Sequence, residues 1–230
     1  NQKWIFWELD SPQVTWEENP NLERLGSVFN LTSTYDLDSI VPIPFVRTCT
    51  AQQVKSPLAV NYAEGKEGRV AWLSFTCQTP SKRESFVEEL QKYFPVDVYG
   101  FCGNMSCNKL KPDQCMHRIL QKKYKFFLAM EDSFCSNVPR SQTLWKIFAR
   151  KLRMVPVVLG AANYTDLYPN NTFIDARSFN SVKHLALYLK YLDKHDLEYN
   201  KYFANRDQPV CGYTTNYSRY LCQLCRHLHN

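Results

Sequence analysis

No apolar run in the chain approaches the ~18 residues that a membrane-crossing helix needs, so no transmembrane helix lies within these 230 residues. Internal repeats and low-complexity tracts are also missing, which excludes repeat architectures and linker-like disorder. The net charge of +6 comes with no aromatic–basic alternation and no nucleic-acid-binding motif. Its densest cluster, Lys146, Arg150, Lys151 and Arg153, therefore reads as a solvated helix face, and no nucleic-acid partner is expected. The only Asp-x-Asp is Asp36-Leu37-Asp38. It follows an apolar run and a Tyr, has no further ligands nearby, and reads as a turn rather than a Mn²⁺ grip. The opening Trp4-Ile5-Phe6-Trp7 reads as a strand and not a signal peptide. The chain is expected to begin inside a folded domain, with membrane attachment only through an anchor outside it.

What is present points to a globular domain of the secretory pathway. A hydrophobic fraction of 44% with 14% aromatics supplies a core and argues against disorder. Nine cysteines accompany Asn-x-Ser/Thr sequons at Asn30, Asn104, Asn163, Asn170 and Asn216. Together they suit an oxidising compartment where asparagine is glycosylated. Cys222-x-x-Cys225 with Cys211, His227 and His229 can be drawn as a zinc site, or Cys-x-x-Cys as a redox pair, but disulfides are the plainer reading.

Short strands are expected at Lys3–Leu9, Ser27–Tyr35, Arg69–Phe75 and Val96–Tyr99, with a helix from Lys82 to Tyr93 capped by Ser81. A helix over His117–Gln121 precedes the most informative stretch. Tyr124-Lys125-Phe126-Phe127-Leu128-Ala129-Met130 and Val155-Pro156-Val157-Val158-Leu159 are apolar runs that end in polar or small residues, Glu131-Asp132-Ser133 and Gly160. Between them Leu144, Ile147, Phe148 and Leu152 share one helical stripe. This is a βαβ unit whose loops face the ligand edge of a parallel sheet. A strand at Phe173–Ala176 and helices at Ser181–Asp193 and Asp196–Asn205 complete an alternating α/β pattern. Glu131, at a strand's carboxyl end, is placed to accept from ribose hydroxyls; Gly160, Tyr164 and Asp175 are similarly placed.

The order of these segments resembles the α1,3-fucosyltransferases of glycosyltransferase family 10, whose pattern runs YKFYLAFENS, TEKLW, VPVVLG, LAxYLxxLDK, YxxYF. The resemblance covers most of the chain. It implies a GT-B type α/β fold of two Rossmann-like domains with parallel sheets, here residues 1–115 on the acceptor side, incomplete at the N-terminus, and 116–230 for the nucleotide sugar. It implies inverting transfer of fucose from GDP-fucose to a GlcNAc hydroxyl of a glycoprotein N-glycan or related oligosaccharide. The setting would be the Golgi lumen in a type II membrane protein. No metal cofactor is required, Mn²⁺ being tolerable but not needed for binding. Trp4 to Pro12 is similar to WIWFxxESP, in which the Glu is the catalytic base; Asp10 stands there, with Glu8 as a stand-in two residues earlier. Arg83 falls at a diphosphate-binding Arg, Val96-Asp97-Val98-Tyr99-Gly100 repeats VDVYG and makes Tyr99 a donor-side candidate, and Tyr99 to Cys107 resembles the plant and invertebrate enzymes that act on the N-glycan core. The family's C-terminal Cys-x-x-Cys pairs with cysteines nearer the N-terminus.

One motif departs. Leu144-Trp145 fixes the register of DYxTEKLW, so Gln142 replaces the Glu and Thr143 replaces the diphosphate-gripping Lys. Arg140 or Lys146 would then supply the charge, or a helix start capped by Ser141. The alternative is a weakened or inactive homologue that binds nucleotide sugar or glycan.

Overall fold

The computed structural model describes residues 2–43, 47–48, 60–107, 111–134, 142–206, 210–211 and 217–229. Strand β1 (Ile5–Glu8) leads into α1 (Pro12–Glu18), whose start carries both usual signals: the Ser11 hydroxyl accepts from the Val14 N–H, and Pro12 opens the first turn. β2 (Leu31–Thr34) pairs in parallel with β1, Ile5 opposite Leu31 and Glu8 opposite Thr34. After β3 (Arg47–Thr48) come β4 (Glu67–Ser74), α2 (Arg83–Gln91) and β5 (Val96–Gly100). The chain then passes through α3 (Pro112–Cys115), a π-turn at Met116–Leu120 and α4 (Gln121–Lys123) into β6 (Tyr124–Met130). The remaining elements are α5 (Gln142–Ala149), β7 (Val155–Leu159), α6 (Tyr164–Leu167), β8 (Ile174–Asp175), α7 (Val182–Lys194), α8 (Asp196–Lys201), β9 (Val210–Cys211, antiparallel to β3) and α9 (Tyr217–His229).

The main sheet is fully parallel with order β5-β4-β6-β7-β8. Both faces are covered, as a parallel sheet requires. In β6, Phe127 and Ala129 face the core under α3 and α5, with Met116, Leu120, Leu144 and Ile147. Phe126, Leu128 and Met130 face the core under α2 and α7, with Leu90, Leu185 and Leu189. That is why β6 reads as an unbroken apolar run: every residue in it is buried. Lys125, the one charged member, is 5% exposed and held by Asp193 and Asp196 at 3.1 Å each.

The division expected near residue 115 does not separate two sheets. β4 and β5, before it, hydrogen-bond into the same sheet as β6, β7 and β8, because the segment after β5 crosses back over β4 to set β6 on its other side. The expected helix at Lys82–Tyr93 starts at Arg83, and Ser81 is not its cap. Lys82 takes that place in left-handed backbone (φ 53°), while the Ser81 hydroxyl donates to the Glu131 carbonyl at 2.8 Å. Ser181 does cap α7, accepting from the His184 N–H. Disulfides Cys77–Cys102 and Cys107–Cys115 tie the loops after β4 and β5 to each other and to α3. Cys222 and Cys225 lie exposed and unpaired on α9.

At the opposite edge, the Lys66 amine is enclosed with no hydrogen-bond partner. Burial, then the charges of Arg206, Arg153 and Lys125, push its pKa down to about 7. Between pH 7 and the 10.5 of a free lysine, the unfolded chain holds a proton that the folded chain has lost. Stability should therefore rise with pH across that window, by up to about 1.4 kcal/mol per unit. Lys66→Met should raise the urea midpoint at pH 7 and flatten the rise between pH 7 and 9.5. Parallel pH profiles for the two proteins would contradict this.

Candidate active site

In a doubly wound sheet, ligands bind outside the carboxyl ends of the strands where the strand order reverses. Here the reversal lies between β4 and β6, and Arg83 spans it. Its Nη1 donates to the carbonyl of Met130, the last residue of β6, at 2.9 Å; its Nη2 donates to the hydroxyl of Ser74, the last residue of β4, at 3.3 Å. The guanidinium lies 5.9 Å above the Trp72 ring and 3.8 Å from Glu84, and its Nε has no hydrogen-bond partner. Burial lowers its pKa, against the pull of Asp132, Glu84 and Glu131; the group stays a cation.

The loops after the two strands are sewn together at this point. The Ser81 N–H donates to the Asp132 carbonyl at 3.0 Å, alongside the Ser81–Glu131 bond already described. Glu131 is 5% exposed, and its N–H donates to the carbonyl of Leu159 in β7 at 2.9 Å. Beside it, Gly160 has no room for a side chain: a Cβ there would sit 2.3 Å from the Tyr164 hydroxyl and 2.6 Å from Glu131 Cγ.

Asp10 reaches the same edge from the β1–β2 pair. The next residue, Ser11, is fully buried, and its hydroxyl meets that of Ser133 at 3.2 Å, joining the turn after β1 to the loop after β6. Glu8 is occupied differently: its Oε1 accepts from the N–H groups of Leu9 and Asp10, both at 2.7 Å. It fixes the turn that presents Asp10, which leaves Asp10 as the exposed carboxylate. A cleft of about 210 Å³ opens here, lined by Glu8, Asp10, Trp16, Tyr35 and Asp36 among others.

Other sequence candidates fall elsewhere. Tyr99 is a core residue: its ring points back to Tyr124 at the start of β6, hydroxyl to hydroxyl at 2.9 Å, and Tyr124 in turn donates to Asp97. Lys146 turns from the ligand edge to Asp113 at 3.0 Å, which Arg150 holds at 2.8 Å. Thr143 is half-buried in the first turn of α5, which Gln142 opens. Arg140, Ser141 and Asn216 lie outside the described residues. Asp36 closes a turn, its Oδ1 accepting from the Asp38 N–H at 3.0 Å. Among the described residues no cluster of three or more His, Cys, Asp or Glu is placed to hold a metal. Sequence reasoning missed Ser74, Ser133 and the bridging use of Ser11; a small hydroxyl residue closing or following a strand is a common pattern, and nothing marks these three out.

Residues 63–230 match the family described as Glycosyltransferase family 10 (fucosyltransferase) C-term. The chain is 35% identical over 216 residues to glycoprotein 3-alpha-L-fucosyltransferase A of Drosophila melanogaster, covering 90% of the chain and 41% of that protein. It is 33% identical over 249 residues to alpha-(1,3)-fucosyltransferase C of the same organism, covering 100% of the chain and 56% of the relative. The chain thus spans about half the length of these curated relatives. A crystal structure of an α1,3-fucosyltransferase with GDP-fucose superposes with a TM-score of 0.64 at 16% identity, over 100% of this chain and 76% of that one. A second α1,3-fucosyltransferase structure gives 0.56 at 17%, over 74% and 47%. The likeness shows the α/β fold of the GT-B kind that the sequence leads one to expect.

Proposed function

The chain belongs to glycosyltransferase family 10, the fucosyltransferases, and from that premise we propose that it transfers fucose from GDP-fucose to a GlcNAc hydroxyl of an N-glycan or related oligosaccharide, forming an α1,3 linkage with inversion. The observation that carries this reading is Arg83 bridging the ends of β4 and β6 at the switch point of the sheet, with the turn that bears Asp10 tied through Ser11 and Ser133 to the loop after β6. Asp10 takes the proton of the acceptor hydroxyl as its oxygen attacks the anomeric carbon. The bond to the diphosphate breaks on the opposite face, and GDP leaves with the electron pair. Arg83 meets the charge that develops on the diphosphate, and Glu131 accepts from the ribose hydroxyls. The cleft beside Asp10, with the half-exposed Trp16 in its wall, suits a sugar face. No step calls on a metal: side-chain cations and backbone N–H groups offset the diphosphate.

The setting we propose is the Golgi lumen, with an anchor outside this chain. The disulfides Cys77–Cys102 and Cys107–Cys115 and the exposed sequon asparagines Asn30, Asn104, Asn163 and Asn170 agree with an oxidising, glycosylating compartment. The test of donor binding is thermal melting with millimolar GDP, with UDP as control and EDTA present throughout. GDP should raise the midpoint by mass action and UDP should not. An equal response to both, or loss of the GDP shift in EDTA and its return with Mn²⁺, would contradict the donor site as drawn.

One observation favours a second reading, a homologue with weakened catalysis: Thr143 stands at the family's diphosphate lysine, and Lys146 is spent on Asp113. Thr143→Lys with Gln142→Glu should then raise turnover about 10²-fold, the usual contribution of one preorganised charge. If Arg140 already fills the role, the double change should gain little and Arg140→Ala should lose activity. Steady-state kinetics of the two variants separate these cases.

A further inference from the structure

We infer that Tyr164, one of two buried tyrosines (Tyr164 and Tyr168) at the ligand edge, is a positioning residue of the donor site, whose hydroxyl closes onto the Glu131 carboxylate when a nucleotide sugar binds. This rests on the donor-site reading above. The two rings frame α6, which follows β7 at the ligand edge, and they are 1% and 2% exposed. Neither hydroxyl has a hydrogen-bond partner, although both are shut off from solvent. Folded proteins leave few buried polar groups in that state, because each forfeits its bonds to water.

The rings themselves are well held. Tyr168 packs on Phe148 at 4.6 Å, and Tyr164 lies between Phe173 at 6.0 Å and the Arg177 guanidinium at 5.4 Å. Only the hydroxyl ends lack partners, and Tyr164 meets Glu131 over Gly160, where the missing side chain leaves the space. Burial and then the Glu131 charge raise both tyrosines well above their ordinary range, with Arg177 opposing and Asp175 reinforcing the effect on Tyr164. Both hydroxyls therefore remain protonated donors, and across Gly160 Glu131 is the charge that Tyr164 faces. An ionised carboxylate accepts about four hydrogen bonds. One from Tyr164 leaves capacity for ribose hydroxyls and fixes the carboxylate in the orientation that meets them. The free protein keeps the Tyr164 donor unsatisfied so that the bound one can complete it, a stability cost of the kind found at binding sites.

The experiment compares the chain with Tyr164→Phe, Tyr168→Phe and the double variant, reading the melting midpoint without ligand and the Kd for GDP-fucose. Each Phe removes one unpaired hydroxyl without changing the ring, so each should raise the free midpoint by about 2–4 °C. Tyr164→Phe, alone or in the double variant, should also weaken GDP-fucose about 10-fold or more, the worth of one hydrogen bond to a charged group, while Tyr168→Phe alone should leave Kd unchanged. A purely structural role for the hydroxyls would lower the midpoint and leave Kd alone; that result overturns the inference. So does an unchanged Kd in Tyr164→Phe when the unsubstituted chain binds. If the unsubstituted chain does not bind GDP-fucose at all, the donor-site reading falls first and takes the inference with it.

Discussion

Replacing Asp10 with Asn should lower fucose transfer by about 10²–10⁴-fold, the usual contribution of a general base, while GDP raises the melting midpoint as before. The two readouts separate because the base acts on the acceptor and has no part in holding the donor. Asparagine keeps the size of the side chain, and Glu8 supplies the acceptor for the Leu9 and Asp10 N–H groups that tie the turn. Glu8→Gln should cost less: its carbonyl oxygen still accepts from both N–H groups, so Asp10 stays presented. Full activity in Asp10→Asn, together with loss of activity in Glu8→Gln, would move the base to Glu8.

The second large effect is expected at Arg83. Arg83→Met removes the cation that we propose meets the leaving diphosphate, a contribution of about 10²–10³ in kcat. It also strips the Met130 carbonyl and the Ser74 hydroxyl of their bonds to the guanidinium, at a cost of about 1–3 kcal/mol in unfolding free energy. Arg83→Lys restores the charge but not the fork that reaches both strands, so it should recover part of the stability loss and only part of the rate. Urea denaturation beside steady-state kinetics checks both. Wild-type kcat in Arg83→Met would show that the diphosphate is met by some other group.

The β6 and β7 segments were legible because each carries a pattern that one physical rule explains: an unbroken apolar run for a strand buried on both faces. The sheet order was not legible. Nothing local in Cys102 to Lys123 says that the chain recrosses β4, so the boundary drawn at residue 115 cut through one sheet. Side-chain direction failed where a single residue chooses between two partners. Lys146 is as well placed in sequence for a phosphate as for a carboxylate, and only the fold brings Asp113 to it. Tyr99 lies one residue from a strand end, yet its ring runs back along the sheet into the core. Arg83 was found through a resemblance, but its grip on the ends of β4 and β6 belongs to the tertiary structure alone.

The central claim, a metal-independent GDP-fucose site with Asp10 as its base, is tested most directly by GDP release from GDP-fucose in EDTA with a panel of N-glycan acceptors. Release should depend on an acceptor bearing a free GlcNAc hydroxyl, persist without divalent metal, and disappear in Asp10→Asn. Release that occurs only with Mn²⁺, or that continues unchanged in Asp10→Asn, would contradict it.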